Sequence, residues 1–274
     1  MPVINTNTAA NSAVRYLNAN AAQESSSLAK LASGSKITKA SDDAAGLAIS
    51  TRISSDVTTL QQAATNASQA TSILQTADGG ASNISDILAR MKSLASQSAS
   101  GTVTDSSRAY IQSEFSELTS QIDSIATGTR YSGQSLLDGT SSFASGVSVL
   151  VGSDASDTIT VSIDSITSSA LGIASLDIST LAGATTALDT LDDAIDTVSA
   201  ARAKIGAQES RFNFSASSIS TQTENLQSAN SAITDVDIAA EQAKLSSAEV
   251  KTQAAVSAES AANKMPQYLL NLLG

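Results

Sequence analysis

The chain has 274 residues with no His, Cys or Trp, which excludes imidazole- and thiol-based nucleophiles and zinc sites built from Cys and His. Only carboxylate or carbonyl sites for hard cations remain. Its formal charge of -11 argues against a nucleic-acid partner, and the 3% aromatic content within a 41% hydrophobic, Ala-rich composition favours thin helical packing over a deep enzyme pocket.

Pro2 and Pro266 are the only prolines, so nothing between them forbids long helices. About the first forty residues are Ala/Ser-rich and helix-periodic. They set Arg15, Lys30, Lys36 and Lys39 against Glu24 alone. No basic stretch precedes an apolar run there, so no cleaved export signal is expected. Ser41, Asp42 and Asp43 then read as a helix start in which both carboxylates cap free N–H groups, a reading that outweighs a metal or acid–base pair.

From Ala44 an apolar stripe runs through Ile49, Ile53, Val57, Leu60, Ala67, Leu74, Ala81, Ile84, Leu88, Met91 and Leu94 in three- and four-residue steps. It keeps phase across Gly79 and Gly80, which either bend the helix or merely loosen it. One helix from 44 to 100 would be roughly 85 Å long, against a radius of gyration of about 19 Å for a compact chain of this size. Gly101 reads as a stop. Ile111, Phe115, Leu118, Ile122 and Ile125 then mark a second helix that folds back and ends near Gly128.

Between Tyr131 and about Leu181, glycines punctuate short apolar runs. Val147, Val149 and Val151 alternate with polar neighbours, a polar turn follows over residues 152–157, and Ile159, Val161 and Ile163 alternate again: a β-hairpin. Asp154 and Asp157 lack the dense oxygen spacing of a calcium loop and read as turn residues.

Helix resumes near Ala184 or Leu188. Val198, Ile205, Phe212, Ile219, Leu226 and Ile233 recur every seventh residue, with Ala201, Gln208, Ser215, Gln222, Ala229 and Val236 between them. This is a helix-packing seam of coiled-coil type. Phe212 lies on it and Phe214 does not, which leaves the role of Phe214 open. The last forty residues carry more Asp and Glu than Lys, complementing the basic start; such charges steer and register rather than stabilise. The apolar tail Leu269, Leu270, Leu272 and Leu273 is far too short to span a bilayer and is expected to dock on other helices.

The fold expected is mostly α: an elongated antiparallel helical rod or coiled coil with a small β-hairpin insert, whose terminal helices become complete on assembly. Residues 1–40 and 235–274 form the two halves of one helical domain. Residues 41–139 and 188–234 form the two halves of a second, and 140–187 the short β/turn insert facing solvent. There is no Gly-rich phosphate loop and no HExxH, so neither catalysis nor a cofactor is expected.

The run from Ser33 to Ser50, SGSKITKASDDAAGLAIS, closely resembles the N-terminal signature of bacterial flagellins. So do Ser72–Gly79, Gly133–Gly139, Glu224-Asn225-Leu226, Asp235, Asp237, Ala262-Asn263 and Pro266-Gln267. The resemblance covers almost everything outside residues 140 to 186. It implies a structural subunit that self-assembles into the flagellar filament, in which the terminal helices, including Leu269, Leu270, Leu272 and Leu273, build an inner tube. A hook–filament junction protein is the nearest rival; the unbroken Asp42-Asp43-Ala44-Ala45-Gly46 and the short middle favour the filament subunit.

The resemblance also implies an extracellular location and export through the flagellar apparatus without N-terminal cleavage. The implied partners are other copies, an export chaperone on the C-terminal helix, a filament cap and hook-junction proteins. The family's innate-receptor surface would fall on Arg90, Leu94 and Glu114. O-linked sugar in the insert would fall on hydroxyls such as Ser141, Ser142 and Thr158, with Ser168 and Ser169 also in that region.

Overall fold

The computed structural model describes residues 7–268, with the backbone of the last helix continuing to Leu273. The side chains of Leu269, Leu270, Leu272 and Leu273 therefore lie outside the described residues. The elements in order are α1 (Thr8–Ser33), α2 (Ala44–Ser98), α3 (Asp105–Gly128), β1 (Arg130–Tyr131), β2 (Gln134–Ser135), α4 (Ser142–Ser145), β3 (Val147–Leu150), β4 (Thr158–Val161), α5 (Leu181–Thr234) and α6 (Ile238–Leu273). They group into two compact units. One takes the chain up to Ser55 together with the chain from Asn225, and the other takes Asp56–Glu224. The divisions fall inside α2 and α5, whereas the sequence reading placed them at the helix breaks near 40 and 234.

The second unit holds the main core. The α2 stripe, from Leu74 through Ala77, Ala81, Ile84, Leu88 and Met91, is fully buried with Phe115 and Ile122 of α3 and with Leu191, Val198 and Phe212 of α5. Periodicity of 3.6 residues places these side chains on one face of each helix. The ion pair from Arg202 Nε to Asp78 Oδ1 (2.8 Å) and the Lys92–Asp192 pair set α2 and α5 antiparallel.

Gly79 and Gly80 do not interrupt α2, and the two positions differ. A Cβ on Gly80 would stand 2.5 Å from Thr129 Oγ1 and 2.7 Å from Leu137 Cδ1, while nothing lies within 4 Å of one on Gly79. Gly80 is needed where the chain leaving α3 crosses the helix. Gly79→Ala is therefore expected to stabilise by about 1 kcal/mol through helix propensity, and Gly80→Ala to destabilise by about 1–3 kcal/mol through overpacking. Urea unfolding of the two variants should shift in opposite directions.

The insert is held along this unit by side chains that read its backbone. The β3–β4 hairpin pairs Val147 with Val161 and Leu150 with Thr158, as the alternation predicts, and Ile159 and Val161 face inward. Gln208 of α5 accepts from Ser162 N (2.9 Å) and donates to Ser162 O (2.8 Å). Asp123 of α3 accepts from the backbone N and the hydroxyl of Ser168, and Gln112 accepts from Ile178 N. Between these clamps Ile163, Ile166, Leu171, Ile173 and Ile178 are buried. The polar side chains satisfy backbone groups that a non-regular segment would otherwise leave unpaired.

In the first unit α1 and α6 lie antiparallel. Asn7 Nδ2 donates to Ala262 O (2.8 Å), and Ser27 Oγ donates to Glu241 Oε1 (2.7 Å). Their shared seam is narrow, with Ala10, Ala248, Ala255 and Ala262 among its buried residues. The DDAAG signature has a local explanation here. Asp43 Oδ1 accepts from Gly46 N and caps α2, whereas Asp42 Oδ2 accepts from Thr38 N, Thr38 Oγ1 and Lys39 N. One carboxylate caps; the other folds the preceding loop, so the expectation that both cap is corrected for Asp42. Gly46 has no room for a side chain, because a Cβ would stand 2.5 Å from Asp43 Oδ2 and 2.9 Å from Ile37 Cδ1.

Candidate assembly surfaces

The first unit leaves large apolar side chains bare. Tyr16 (63%) and Leu28 on α1, and Val250 (70%), Val256, Met265 and Tyr268 on α6, are exposed. On α6 the side turned to α1 carries Glu241, Ala248, Ala255 and Ala262. Val250, two residues past Ala248, points about 200° around the helix from it. Exposed apolar residues on several faces of one helix mark it as a surface for association. Among the described residues of the second unit, the large apolar side chains left exposed are Tyr110, Leu181 and Phe214.

Glu241 is the buried charge between α1 and α6, at 4% exposure. It accepts from Ser27 Oγ and is paired with Lys244 Nζ at 2.9 Å. The hydrogen bond from Lys244, and then that from Ser27, hold its carboxyl below the ordinary glutamate value of 4.5 against the opposing effect of burial; Lys30 adds attraction. A depressed carboxyl stabilises the folded form above its unfolded pKa and loses that contribution as pH falls through the folded pKa. The α1–α6 pairing is therefore expected to be at full strength at neutral pH and to weaken as pH falls below the usual glutamate range. Glu241→Gln is expected to cost about 1.5–3 kcal/mol at pH 7 and to flatten the acid limb. Protease cleavage within α1 as a function of pH measures both.

The seam residues Val198, Ile205, Phe212 and Ile219 are buried, while Leu226 and Ile233 are half-buried. Arg90 and Glu114 are exposed and joined, Nη2 to Oε1 at 2.6 Å and Nε to Oε1 at 2.9 Å. Leu94 is 3% exposed and belongs to the core. A surface made of all three is corrected to the charged pair alone, because Leu94 lies on the packed face of α2. Ser142 and Thr158 are exposed and Ser141 is partly so, but the Ser141 hydroxyl oxygen is buried and has no partner among the described residues. Ser168 is buried in the Asp123 clamp. These two hydroxyls drop out as accessible positions. The hairpin turn is closed in part by Asp157 Oδ2 accepting from Asp154 N.

Two functional features escaped the sequence reading. Glu241 appeared there only as one of many acidic residues near the end. Arg108 is a cation in the first turn of α3, where the helix dipole disfavours it; that misplacement was the available signal.

Paired terminal helices with bare apolar faces describe a self-associating helical subunit. Residues 4–142 match the family model for the bacterial flagellin N-terminal helical region, and residues 188–273 match that for the bacterial flagellin C-terminal helical region. The chain belongs to the bacterial flagellin family. It is 34% identical to a flagellin of Halalkalibacterium halodurans over 273 residues, 99% of each chain. It is 33% identical to a flagellin of Bacillus subtilis over 301 residues, covering 98% of this chain and 99% of that one. The crystal structure of Bacillus cereus flagellin matches with a TM-score of 0.51 at 31% identity, over 61% of this chain and 94% of that one.

A putative flagellar hook-associated protein from Vibrio parahaemolyticus matches with a TM-score of 0.58 at 16% identity, over 70% of this chain and 99% of that one. That likeness is one of fold. The protein is thus a structural subunit of the flagellar filament, outside the cell, and the hook-junction alternative is not favoured.

Proposed function

We propose that the subunit polymerises through the bare apolar faces of α1 and α6, which neighbouring copies cover to form the inner tube, and that Leu269, Leu270, Leu272 and Leu273 take part in that assembly. The exposure of Tyr16, Val250 and Tyr268 is the observation that carries this reading. The α1–α6 seam is built largely of small residues, so it buries little area by itself, and neighbours complete it. Purified chain is expected to form long hollow filaments under the electron microscope, with a gain in helical circular dichroism on polymerisation. A chain ending before Ile238 should remain monomeric; filaments from that truncation would defeat the proposal.

The remaining roles rest on family membership. The subunit is exported through the flagellar apparatus without N-terminal cleavage, is guarded by a chaperone on its C-terminal helix, is added beneath the filament cap beyond the hook-junction proteins, and catalyses no reaction. Ser142 and Thr158 are the hydroxyls offered for O-linked sugar, which an intact mass above the 27.6 kDa polypeptide would register. An innate receptor reading α2 and α3 would meet the Arg90–Glu114 pair and not Leu94.

A further inference from the structure

The α1–α6 pair has two edges, and they carry different charges. On α6 the line of contact with α1 is fixed by buried Ala248 and by Thr252, whose Oγ1 donates to Glu24 Oε2 of α1 at 3.4 Å. At about 100° per residue, Lys244 and Lys251 fall roughly 40° and 60° to one side of Ala248, while Thr252 and Glu249 fall roughly 40° and 100° to the other. The two lysines and Glu249 therefore flank the contact line on opposite edges.

The lysine edge is hollow. Lys244, Ser247 and Lys251 of α6 and Asn20 and Gln23 of α1 line an open groove of about 450 Å³. Lys244 is committed to Glu241 of its own chain. Lys251 is exposed and has no ion pair among the described residues. The other edge carries the counterpart. Glu249 is exposed and likewise forms no ion pair among the described residues. Val256, seven residues on and so on the same side of the helix, is one of the bare apolar residues. With the body of the helix between them, Glu249 and Lys251 of one chain cannot meet each other.

Two copies can bring them together. Flagellins assemble with copies of themselves, and a head-to-tail contact sets one edge of each copy against the other edge of the next, a step whose repetition closes a ring or winds a helix. The charges suit that step alone, because joining two lysine edges sets cation against cation.

We propose that Glu249 of one copy enters the Lys244–Lys251 groove of its neighbour and pairs with Lys251, so that these two charges select which edges meet. The contact rests on the assembly reading above. An exposed pair adds little strength, and its work is register and the exclusion of wrong pairings.

Charge reversal tests it in the full-length chain. Glu249→Lys and Lys251→Glu are each expected to raise the critical concentration for polymerisation by about fivefold or more at low salt, since each sets like charges together, with less effect at high salt. Monomer melting should not change. The double variant, and an equimolar mixture of the two single variants in which they alternate, restore opposite charges at every contact and should polymerise within about twofold of the parent. A loss caused inside one chain would not be rescued, because the two positions lie on opposite edges. The absence of cysteine allows a direct check: in filaments mixed from Glu249→Cys and Lys251→Cys chains, a short bis-maleimide should join one variant to the other, and in monomer it should not. Failure of the rescue, or links only between like positions, overturns this contact and leaves the assembly reading standing. If the unaltered chain does not polymerise, both fall.

Discussion

Phe212→Ala is expected to destabilise the monomer by about 3–5 kcal/mol, the usual loss for truncating a buried aromatic side chain. Phe212 is fully buried within the cluster that joins the α2, α3 and α5 stripes, and the rigid helices around it cannot collapse far into the space it would leave. The melting midpoint of a chain this long would fall by roughly 6–20 °C. Phe214→Ala makes the same chemical change two residues away at a 75% exposed site and should leave the monomer within about 0.5 kcal/mol of the parent. Leu226→Ala, at a half-buried seam position, should fall between them, and Gln227→Ala should be near neutral. Urea unfolding of dilute monomer gives all four values, and equal midpoints for the two phenylalanine variants would contradict the assigned helix phase.

This series also separates what the sequence could reveal from what it could not. The seven-residue spacing identified the face of α5 that packs, and from Val198 to Ile219 that face is buried. The same spacing continues through Leu226 and Ile233, where burial is only partial. Period states which way a side chain points; it does not state how much lies against it.

Local signals were legible in the same way. The hairpin alternation and the stop at Gly128 follow from single-residue preferences, and Asp43 caps α2 as its place before Ala44 implies. The clamps on the insert could not be read. Gln208 meets Ser162, Asp123 meets Ser168 and Gln112 meets Ile178 across 46, 45 and 66 positions, with no periodic pattern to couple them. Gln208 alone left a trace, as a polar residue in an apolar seam. The divisions at Ser55 and Asn225 were hidden for another reason: α2 and α5 run through them with no change in composition or helix chemistry.

Arg108→Met is expected to cost about 3–5 kcal/mol, although the side chain stands in the first turn of a helix, an unfavourable place for a cation. Arg108 is 5% exposed. Nε donates to Ser98 O at 2.8 Å and Nη2 to Ser100 O at 2.9 Å, at the end of α2, and Nη1 donates to Asp105 Oδ1 at 2.8 Å. The planar fork thus closes the turn between α2 and α3 by satisfying carbonyls that a helix end leaves without partners. Ser98 is itself fully buried, and its hydroxyl donates to Ile178 O, so the insert leans on the same joint. Methionine matches the bulk but strands two acceptors, each worth about 1.5–3 kcal/mol when bonded to a charged donor. Lysine keeps the charge without the fork and should recover only part of the loss. Asp105 is different, because its side chain is 91% exposed; Asp105→Ala should cost less than about 1 kcal/mol. The expected order of destabilisation is Arg108→Met, Arg108→Lys, then Asp105→Ala, read from urea midpoints and from protease cutting in the turn after Ser98. If Asp105→Ala matched Arg108→Met, the exposed ion pair would be holding the joint, and the assignment of the two backbone carbonyls as its main partners would be wrong.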